Sequence, residues 1–368
     1  MKESYKNRLM SLRNYMDVMD IEVAMITSPK NIFYYTGFHS EPYERFMALI
    51  VHQEQDKTYL FVPALDKEMA LDFSYVKTVV IVSDEENPYE RLKDEIGNRF
   101  RTFGIEKQKV TLDQFEQLTH WIEVESVLNM TEFIHKERMR KTEEECHLVQ
   151  KAIHCIEQVL NDGIKQVKVG MSELELTAEF EYLMRKSGAE GPAFSTTVLS
   201  GENAALPHGS PGARTFKKGD FLLIDMGVVV GGYCSDISRT FVIGEETEEQ
   251  KKIYETVSEA TKRAIQATKR GVPIGEIDRA ARFFIEEKGY GAYFNNRVGH
   301  GLGIDVHEQP SIHSENSLKV AEGFLFTIEP GIYIPQFGGV RIEENIYIGD
   351  DGKTNVLTSY PSDLIRLG

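Results

Sequence analysis

The spacing of apolar residues in the first third of the chain alternates between the helical and the extended period. Apolar positions at helical spacing predict helices over 2–19, 88–99 and 112–121. Short apolar runs predict strands over 21–27, 46–52, 57–63 and 76–83. This alternation is typical of an α/β layer domain, which we assign to residues 1–134. The charged stretch 135–141 then marks the domain boundary or forms the first turn of the next helix.

The rest of the chain, 135–368, contains two similar halves. In each half, two glycines eighteen residues apart enclose an apolar stripe of helical spacing, over 170–188 and over 271–289. Thr142 and Ser172 each stand three residues before a glutamate, which is the spacing of a capping box at a helix start. Each half is therefore predicted to form two helices followed by strands.

Each half also contains an apolar strand pattern that closes on an acid, Asp225 in the first half and Glu329 in the second. A further acid follows each one, Asp236 after eleven residues and Glu343 after fourteen. Two bare carboxylates about 4 Å apart repel by roughly 4 kcal/mol at an effective dielectric near 20, so four in one apolar pocket need protons or cations. The duplicated pattern therefore predicts a cage for two divalent metal ions, for which Mn, Co or Zn are suitable.

Three histidines accompany these acids. His300 and His307 lie in the glycine-rich segment 298–308, between the two acid-bearing regions, and His208 lies in a loop before the first acid strand. His300 is the candidate imidazole ligand. A strand-end aspartate or a glycine-flanked histidine taken singly is more often an ordinary turn or loop residue. The metal interpretation rests on all five positions being satisfied together, and structural roles for His208 and His307 stay open.

Five positions and three short motifs carry a resemblance to a known family. They are Asp225, Asp236, His300, Glu329 and Glu343, with the motifs 206–208, 306–308 and 339–343. They resemble the pita-bread metallopeptidases, which include methionine aminopeptidase, aminopeptidase P and Xaa-Pro dipeptidase (prolidase), with creatinase as a metal-free relative. Segments 31–38 and 41–45 are most similar to short bacterial prolidases. The resemblance spans nearly the whole chain and implies an α/β (α+β) fold: a creatinase-type domain, 1–134, then a pita-bread catalytic domain, 135–368, with a pseudo-twofold internal duplication.

The resemblance implies a metal-binding role for each of the five positions. Asp225 would bind one ion alone, and Asp236 and Glu343 would bridge both ions. His300 and Glu329 would complete the second site. The expected cofactor is two divalent metal ions per subunit, with Mn as the family expectation and Co or Zn as alternatives.

Catalytic roles also follow from the resemblance. The two ions would hold a hydroxide nucleophile, and Glu329 would take a proton from that water and deliver it to the leaving nitrogen. His208 and His307 are not needed as ligands, so they would contact the substrate and stabilise the tetrahedral intermediate or carry protons. Arg341 lies two residues before Glu343 on the same strand face, from which it would orient that ligand.

The substrate is implied by the resemblance alone, as an Xaa-Pro dipeptide from which proline is released. Recognition of a dipeptide requires a cation for its C-terminal carboxylate, and we assign that role to Arg297, three residues before His300. Two alternatives stay open: an aminopeptidase P acting on longer peptides, and a non-catalytic scaffold that binds peptides. Asn296 weakly disfavours the first, because aminopeptidase P relatives often have another histidine there.

Composition narrows the class of partner. The 368 residues carry a formal net charge of −16 without a compensating basic tract, which disfavours nucleic acid and anionic membranes as partners. The chain start lacks an apolar leader, and the three cysteines have no metal-binding spacing. We therefore expect a cytoplasmic enzyme that acts on small peptides. The resemblance further implies a homodimer in which the N-terminal domain closes the neighbouring active site.

Overall fold

The computed structural model describes residues 2–368, which form two compact units, 2–137 and 138–368. The domain limit predicted after residue 134 lies within a helix that spans Thr131–Met139, and the domain limits stay a prediction. None of the helices in residues 2–368 has the length and hydropathy that a membrane crossing requires.

The first unit is a six-stranded mixed sheet with helices. Its helices are α1 (Lys2–Met19), α2 (Pro29–Thr36), α3 (Lys67–Phe73), α4 (Pro88–Ile96) and α5 (Leu112–Trp121), and α6 (Thr131–Met139) follows. Its strands are β1 (Val23–Ile26), β2 (Ala48–His52), β3 (Lys57–Pro63), β4 (Thr78–Val82), β5 (Arg99–Ile105) and β6 (Glu123–Asn129). The sheet order is β4-β3-β2-β1-β5-β6, antiparallel at β1–β2 and β2–β3 and parallel elsewhere.

The sequence predicted most of these elements. All seven helices and strands predicted for this unit are present. The helix over 112–121 begins with a capping box formed by Thr111 and Gln114. The helix predicted over 88–99 ends instead at Ile96, because Gly97 has φ 99° and Arg99 starts β5. The sequence analysis missed α2, α3, α6, β5 and β6.

Of the two roles expected for the charged stretch 135–141, domain boundary or first turn of the next helix, the second is wrong, whereas the two units divide within the stretch, between 137 and 138. Residues 135–139 form the end of α6, and the next helix begins separately at Glu143. The reason is local: Thr142 caps the new helix with its side chain, and Arg140 forms an isolated bridge with Phe324.

The second unit consists of two halves with a common order of elements. The first half contains α7 (Glu143–Gly163), α8 (Glu173–Lys186), β7 (Gly191–Pro192), β8 (Thr197–Ser200), β9 (Phe221–Met226), β10 (Val228–Val230), β11 (Tyr233–Cys234) and β12 (Ile237–Ile243). The second half contains α9 (Glu248–Ala267), α10 (Ile274–Glu287), β13 (Gly299–Gly301), β14 (Glu308–Ile312), β15 (Leu325–Ile328), β16 (Gly331–Ile334), β17 (Gly338–Arg341), β18 (Glu344–Ile348), β19 (Thr354–Val356) and β20 (Arg366–Leu367). Two helices followed by strands in each half confirm the predicted duplication.

Each half has a three-stranded antiparallel ladder at its centre. The first ladder is β8-β9-β12 and the second is β13-β15-β18, within sheets of order β20-β12-β9-β8 and β14-β13-β15-β18-β19. The predicted capping boxes at Thr142 and Ser172 are confirmed, and Thr247 forms a third at α9. The two ladders thus carry corresponding strand ends, where the acids lie.

Apolar helix faces cover both ladders. Phe180 of α8 and Leu222 of β9 are fully buried in one cluster, and Ile277 of α10 and Phe326 of β15 in another. Gly163 at the end of α7 is required for this packing, because a Cβ there would overlap the ring of Phe180. Such packing makes the strand ends a rigid support for the candidate site.

Candidate metal centre and active site

The four predicted acids lie at corresponding places in the two ladders. Asp225 is in β9 near its end, and Asp236 lies just before β12. Glu329 directly follows β15, and Glu343 directly precedes β18. His300 is the central residue of β13, which pairs with β15. The fold therefore brings together five side chains that are up to 118 residues apart in the sequence.

Their ligand atoms form two groups that share one carboxylate. Oxygen atoms of Asp225, Asp236 and Glu343 lie within 4.8 Å of one another, and so do ligand atoms of His300, Glu329 and Glu343. His300 Nε2 is 3.1 Å from Glu329 Oε1 and 3.7 Å from Asp236 Oδ2. Two adjacent groups with a shared acid are an arrangement that suits two neighbouring cations.

Three of these carboxylates have an oxygen that lacks a protein partner. Within residues 2–368, nothing hydrogen-bonds to the buried atoms Asp225 Oδ1, Asp236 Oδ1 and Glu343 Oε1. Buried polar atoms are normally paired, so three unpaired oxygens at one point require a cation or protons. The donor set of carboxylates with an imidazole fits a divalent metal ion.

The pKa values of the acids reflect the same crowding. Burial, and then repulsion from neighbouring carboxylates, raises the pKa values of Asp236 and Glu343 well above their ordinary range. Burial also raises the pKa of Asp225, although Arg341 opposes the shift. Glu329 is an exception, because a hydrogen bond from His300 and the charges of His300 and Arg341 outweigh burial and lower its pKa. Without a cation, the site therefore favours an ionised Glu329 and protonation of its neighbours.

Arg341 has a different direct partner from the one that the sequence predicted. Its guanidinium donates to Asp225 Oδ2, to the hydroxyl of Tyr333 at 2.8 Å and to Ser238 Oγ at 2.8 Å. Ser238 Oγ in turn donates to Glu343 Oε2 at 2.9 Å. Arg341 therefore holds Asp225 directly and reaches Glu343 through Ser238, because β17 brings the guanidinium beside β9.

Backbone geometry fixes the imidazole of His300. Its Nδ1 donates to the carbonyl of Gly301, 3.1 Å away, so Nε2 faces the acids, where a neutral ring offers a lone pair to a metal ion and a protonated ring donates to Glu329. Its backbone N–H donates to Thr327 Oγ1 at 3.2 Å. Glycine flanks the histidine because a Cβ at Gly299 or Gly301 would overlap the carbonyls of Thr327 or Gln309.

The remaining candidate residues line one cavity of about 640 Å³ over the acids. Exposed His208 reaches it from the loop before β9, and the ring centroid of His307 is 3.9 Å from that of His300. Partial removal from water and the charge of His300 lower the pKa of His307 to about 4, so this imidazole is neutral near pH 7. Arg297 lines the cavity and donates to Ser311 Oγ at 2.9 Å. A volume of this size accommodates a small peptide.

The sequence analysis missed three residues of the site. Ser238 lies two positions after Asp236, so strand alternation alone is a signal that would have found it. Tyr333, which accepts from Arg341, and Phe194, which lines the cavity, carry no such signal. Their positions depend on how distant strands meet.

Comparison with known proteins agrees with this geometry. Residues 147–350 match metallopeptidase family M24, and residues 8–140 match the creatinase/prolidase N-terminal domain. A Bacillus subtilis protein named "Putative dipeptidase YkvY" is 40% identical over 364 residues, which are 98% of this chain and 100% of that protein. These matches confirm the fold class and the family resemblance inferred from the sequence.

Two solved structures have a similar fold over nearly the whole chain. The prolidase from Pyrococcus furiosus is 36% identical, with a TM-score of 0.86 over 95% of this chain and 99% of that one. An X-Pro aminopeptidase from Thermotoga maritima is 32% identical, with a TM-score of 0.85 over 95% of this chain and 98% of that one. Similarity alone therefore leaves the dipeptide and longer-peptide alternatives in place.

Proposed function

The chain belongs to metallopeptidase family M24, and from that premise we propose that it hydrolyses Xaa-Pro dipeptides with two bound divalent ions. The convergence of Asp225, Asp236 and Glu343, each with an unpaired buried oxygen, carries the metal part of this proposal. The prolidase and dipeptidase names of its relatives support the substrate part.

The proposed ligands are the five predicted residues. Asp225, Asp236 and Glu343 would hold one ion, and His300, Glu329 and Glu343 would hold the other; Asp236 Oδ2 also lies 3.7 Å from His300 Nε2. Mn is the proposed metal, with Co and Zn as alternatives. Such ions, when bound, supply Lewis acidity that polarises the scissile carbonyl and acidifies water.

The side chains around the ions would move protons and hold the substrate. Glu329, whose pKa the neighbouring His300 lowers, is ionised and ready to take a proton from the attacking water. It would then donate that proton to the leaving proline nitrogen. His307 is neutral at pH 7 and, with His208, would donate hydrogen bonds to the oxyanion of the tetrahedral intermediate. Arg341 would hold Asp225 in place during this cycle.

Arg297 is the proposed partner of the substrate carboxylate. Arg341 is already hydrogen-bonded to Asp225, Tyr333 and Ser238, whereas Arg297 lines the cavity and donates to Ser311 Oγ, a neutral acceptor. A guanidinium beside the site would pair with a C-terminal carboxylate placed one residue after the scissile bond. This placement would favour a dipeptide over a longer peptide.

Hydrolysis of Ala-Pro against Ala-Pro-Ala tests the proposed function. Protein treated with chelator would be assayed with Mn, Co or Zn restored singly. We expect metal-dependent cleavage of the dipeptide. Cleavage mainly of the tripeptide would establish the aminopeptidase P alternative. Metal binding without cleavage of either peptide would contradict a peptidase acting on Xaa-Pro bonds and favour the scaffold.

The variant Arg297→Ala tests the carboxylate assignment. Loss of a charge-assisted pair worth about 1.5–3 kcal/mol should raise KM for Ala-Pro by roughly tenfold to a hundredfold. Hydrolysis of Ala-Pro amide, which lacks the carboxylate, should change little. Arg279→Ala is the matched control, since Arg279 pairs with Glu276 on α10 and is not part of the cavity wall. An unchanged preference of Arg297→Ala for dipeptides over tripeptides would contradict the assignment.

A homodimer through the first unit is also proposed. Leu65, Met69 and Phe73 follow one another at four-residue spacing with exposed fractions of 76%, 47% and 69%, and Tyr43 is 87% exposed. Large exposed apolar side chains at helical spacing are typical of an interface. Light scattering during size-exclusion chromatography should give twice the chain mass of 41.9 kDa. A single-chain mass at micromolar concentration would contradict the dimer. The cytoplasmic location stays a prediction.

A further inference from the structure

Four charged residues form a cluster in which the two acids stand on either side of His307 in the chain. This charge cluster consists of Arg138, Lys141, Asp305 and Glu308. Arg138 Nη2 lies 2.7 Å from Asp305 Oδ2 and 2.5 Å from Glu308 Oε2, and Lys141 Nζ bonds Glu308 Oε1. The exposed fractions of the Arg138, Lys141 and Glu308 side chains are only 6%, 1% and 7%.

The cluster joins two segments that are remote in the sequence. Arg138 is in the last turn of α6 and Lys141 directly precedes the cap of α7, whereas Asp305 lies in the loop between β13 and β14 and Glu308 is the first residue of β14. A hydrogen bond from the backbone N–H of Cys234 to the carbonyl of Gly303, 2.7 Å long, also holds the start of this loop. The loop is therefore attached at both of its ends.

Gly303 makes room for the ion pair. A Cβ at this position would lie 2.5 Å from Glu308 Oε1 and 2.9 Å from Lys141 Cε. Real Cβ atoms do not approach other atoms so closely, so a side chain at 303 would displace the carboxylate or the lysine. The absence of a side chain here is thus tied to the charge cluster and not to a turn alone.

Stability alone is a weak explanation for such a cluster. Apolar residues of similar volume often replace a buried ion pair without loss of stability, whereas removal of one partner leaves a costly unpaired charge. What a guanidinium nitrogen shared by two carboxylates does supply is geometry. Arg138 holds the carboxylates of Asp305 and Glu308 together, so the two residues between them, Val306 and His307, have little freedom to move.

We propose that Arg138 and Lys141 are positioning residues that hold the imidazole of His307 over the candidate metal centre. This inference rests on the proposed function, in which His307 contacts the substrate. The His307 side chain is exposed at the cavity, where its ring centroid is 3.9 Å from that of His300 and a ring nitrogen lies within 4.8 Å of ligand atoms of Asp236 and His300. Its orientation therefore depends on the backbone that carries it, and the charge cluster fixes that backbone.

A double-mutant cycle tests the inference. Arg138→Met should lower kcat about tenfold with a smaller change in KM, as expected when a group that orients a catalytic residue is lost. In a His307→Ala background the same change should lower kcat less than twofold, because its target is gone. Glu106→Gln is the control: Glu106 is a buried acid of the first unit that accepts bonds from Thr27 and Ser28, so its loss should affect stability and leave kcat unchanged.

The position of His307 has a readout that does not require activity. In metal-free protein labelled with ¹³C-histidine, the His307 ring resonance, assigned from its absence in His307→Ala, should move or broaden in Arg138→Met. An unchanged resonance would overturn the inference, and so would an equal loss of kcat in both backgrounds. Full activity of His307→Ala would contradict the catalytic role of His307. The ring resonance would still test whether Arg138 positions His307. Should Arg138→Met not fold, Arg138→Lys keeps the charge with a shorter reach, and the same dependence of kcat and resonance on His307 is expected.

Discussion

Asp225 and Glu329 occupy corresponding places in the two halves of the catalytic unit, at the ends of β9 and β15, yet their pKa values shift in opposite directions. Burial raises the pKa of Asp225. Glu329 is equally enclosed, but the hydrogen bond from His300 and nearby positive charge lower its pKa. The same scaffold position therefore gives one carboxylate suited to binding a cation and another suited to accepting a proton.

The origin of this difference lies in the strands beside each acid. In the second half, the strand next to β15 supplies His300, whose Nε2 is 3.1 Å from Glu329. In the first half, the corresponding strand β8 places Thr197 opposite Asp225. Arg341, which holds Asp225, also comes from the second half. The duplication thus supplies the acids evenly, and the second half alone supplies the imidazole and the guanidinium that distinguish them.

The largest expected effect tests whether the two halves contribute equally to the metal cage. Asp236→Asn from the first half and Glu343→Gln from the second should each lower kcat/KM at least about 10³-fold, because several kcal/mol of transition-state stabilisation depend on bound ions. Elemental analysis should show fewer than two ions per chain in both variants.

Glu344→Gln is the matched control for these two changes. Glu344 adjoins Glu343 but pairs with Arg239 at 2.9 Å, so this variant should keep both ions. If either Asp236→Asn or Glu343→Gln kept two ions and full activity, the claim that both halves supply essential metal ligands would be contradicted.

A smaller effect concerns the stability of metal-free protein, in which replacing an acid of the site and replacing Arg341 should have opposite results. Removing the charge of Asp236 relieves repulsion in a buried group whose pKa is raised, so Asp236→Asn should stabilise the chelated protein by at least about 1 kcal/mol. Arg341→Met should destabilise it by about 3–5 kcal/mol, because Asp225 would be left without its buried partner. Calorimetry of chelated protein measures both. A destabilised Asp236→Asn would mean that repulsion among the acids is not what strains the site.

The parts of the fold that the sequence predicted are those encoded locally. Apolar runs ending at Asp225 and Glu329 specify strands with an acid at one end, and the threonine and serine caps at Thr142 and Ser172 mark where helices begin. Because the same strand-and-acid pattern occurs in both halves, the prediction is stronger than either half alone would support. The gathering of the acids follows, because two related ladders expose corresponding strand ends.

The parts that escaped prediction depend on contacts between distant segments. Arg341 was expected to orient Glu343, two residues away; it reaches Glu343 through Ser238, but its direct bond to Asp225, which the approach of β17 to β9 permits, was not predicted. The pairing of Arg138 with Asp305 joins residues 167 positions apart, and no local pattern indicates it. Side chains that tune the site are therefore less predictable than the ligands, since their identity depends on packing and not on periodicity.

The smallest expected effect tests whether the helix caps of the two halves contribute equally to stability. Helices α7 and α9 start the two halves, and each begins with a threonine capping box, at Thr142 and at Thr247. Thr142→Ala and Thr247→Ala should each lower the free energy of unfolding by about 1 kcal/mol, because the amide of the third helical residue loses its acceptor. Their effects should add in the double variant, since the two boxes share no hydrogen-bond partner.

Urea denaturation measures these differences, with Thr177→Ala inside α8 as the control for loss of the side chain alone. That residue bonds back to the carbonyl of Glu173, so its replacement should cost little. A kcat loss confined to Thr142→Ala would connect this cap to the adjoining Lys141 and hence to His307. A neutral Thr247→Ala beside a costly Thr142→Ala would mean that the two halves share a pattern of residues without sharing its energetics.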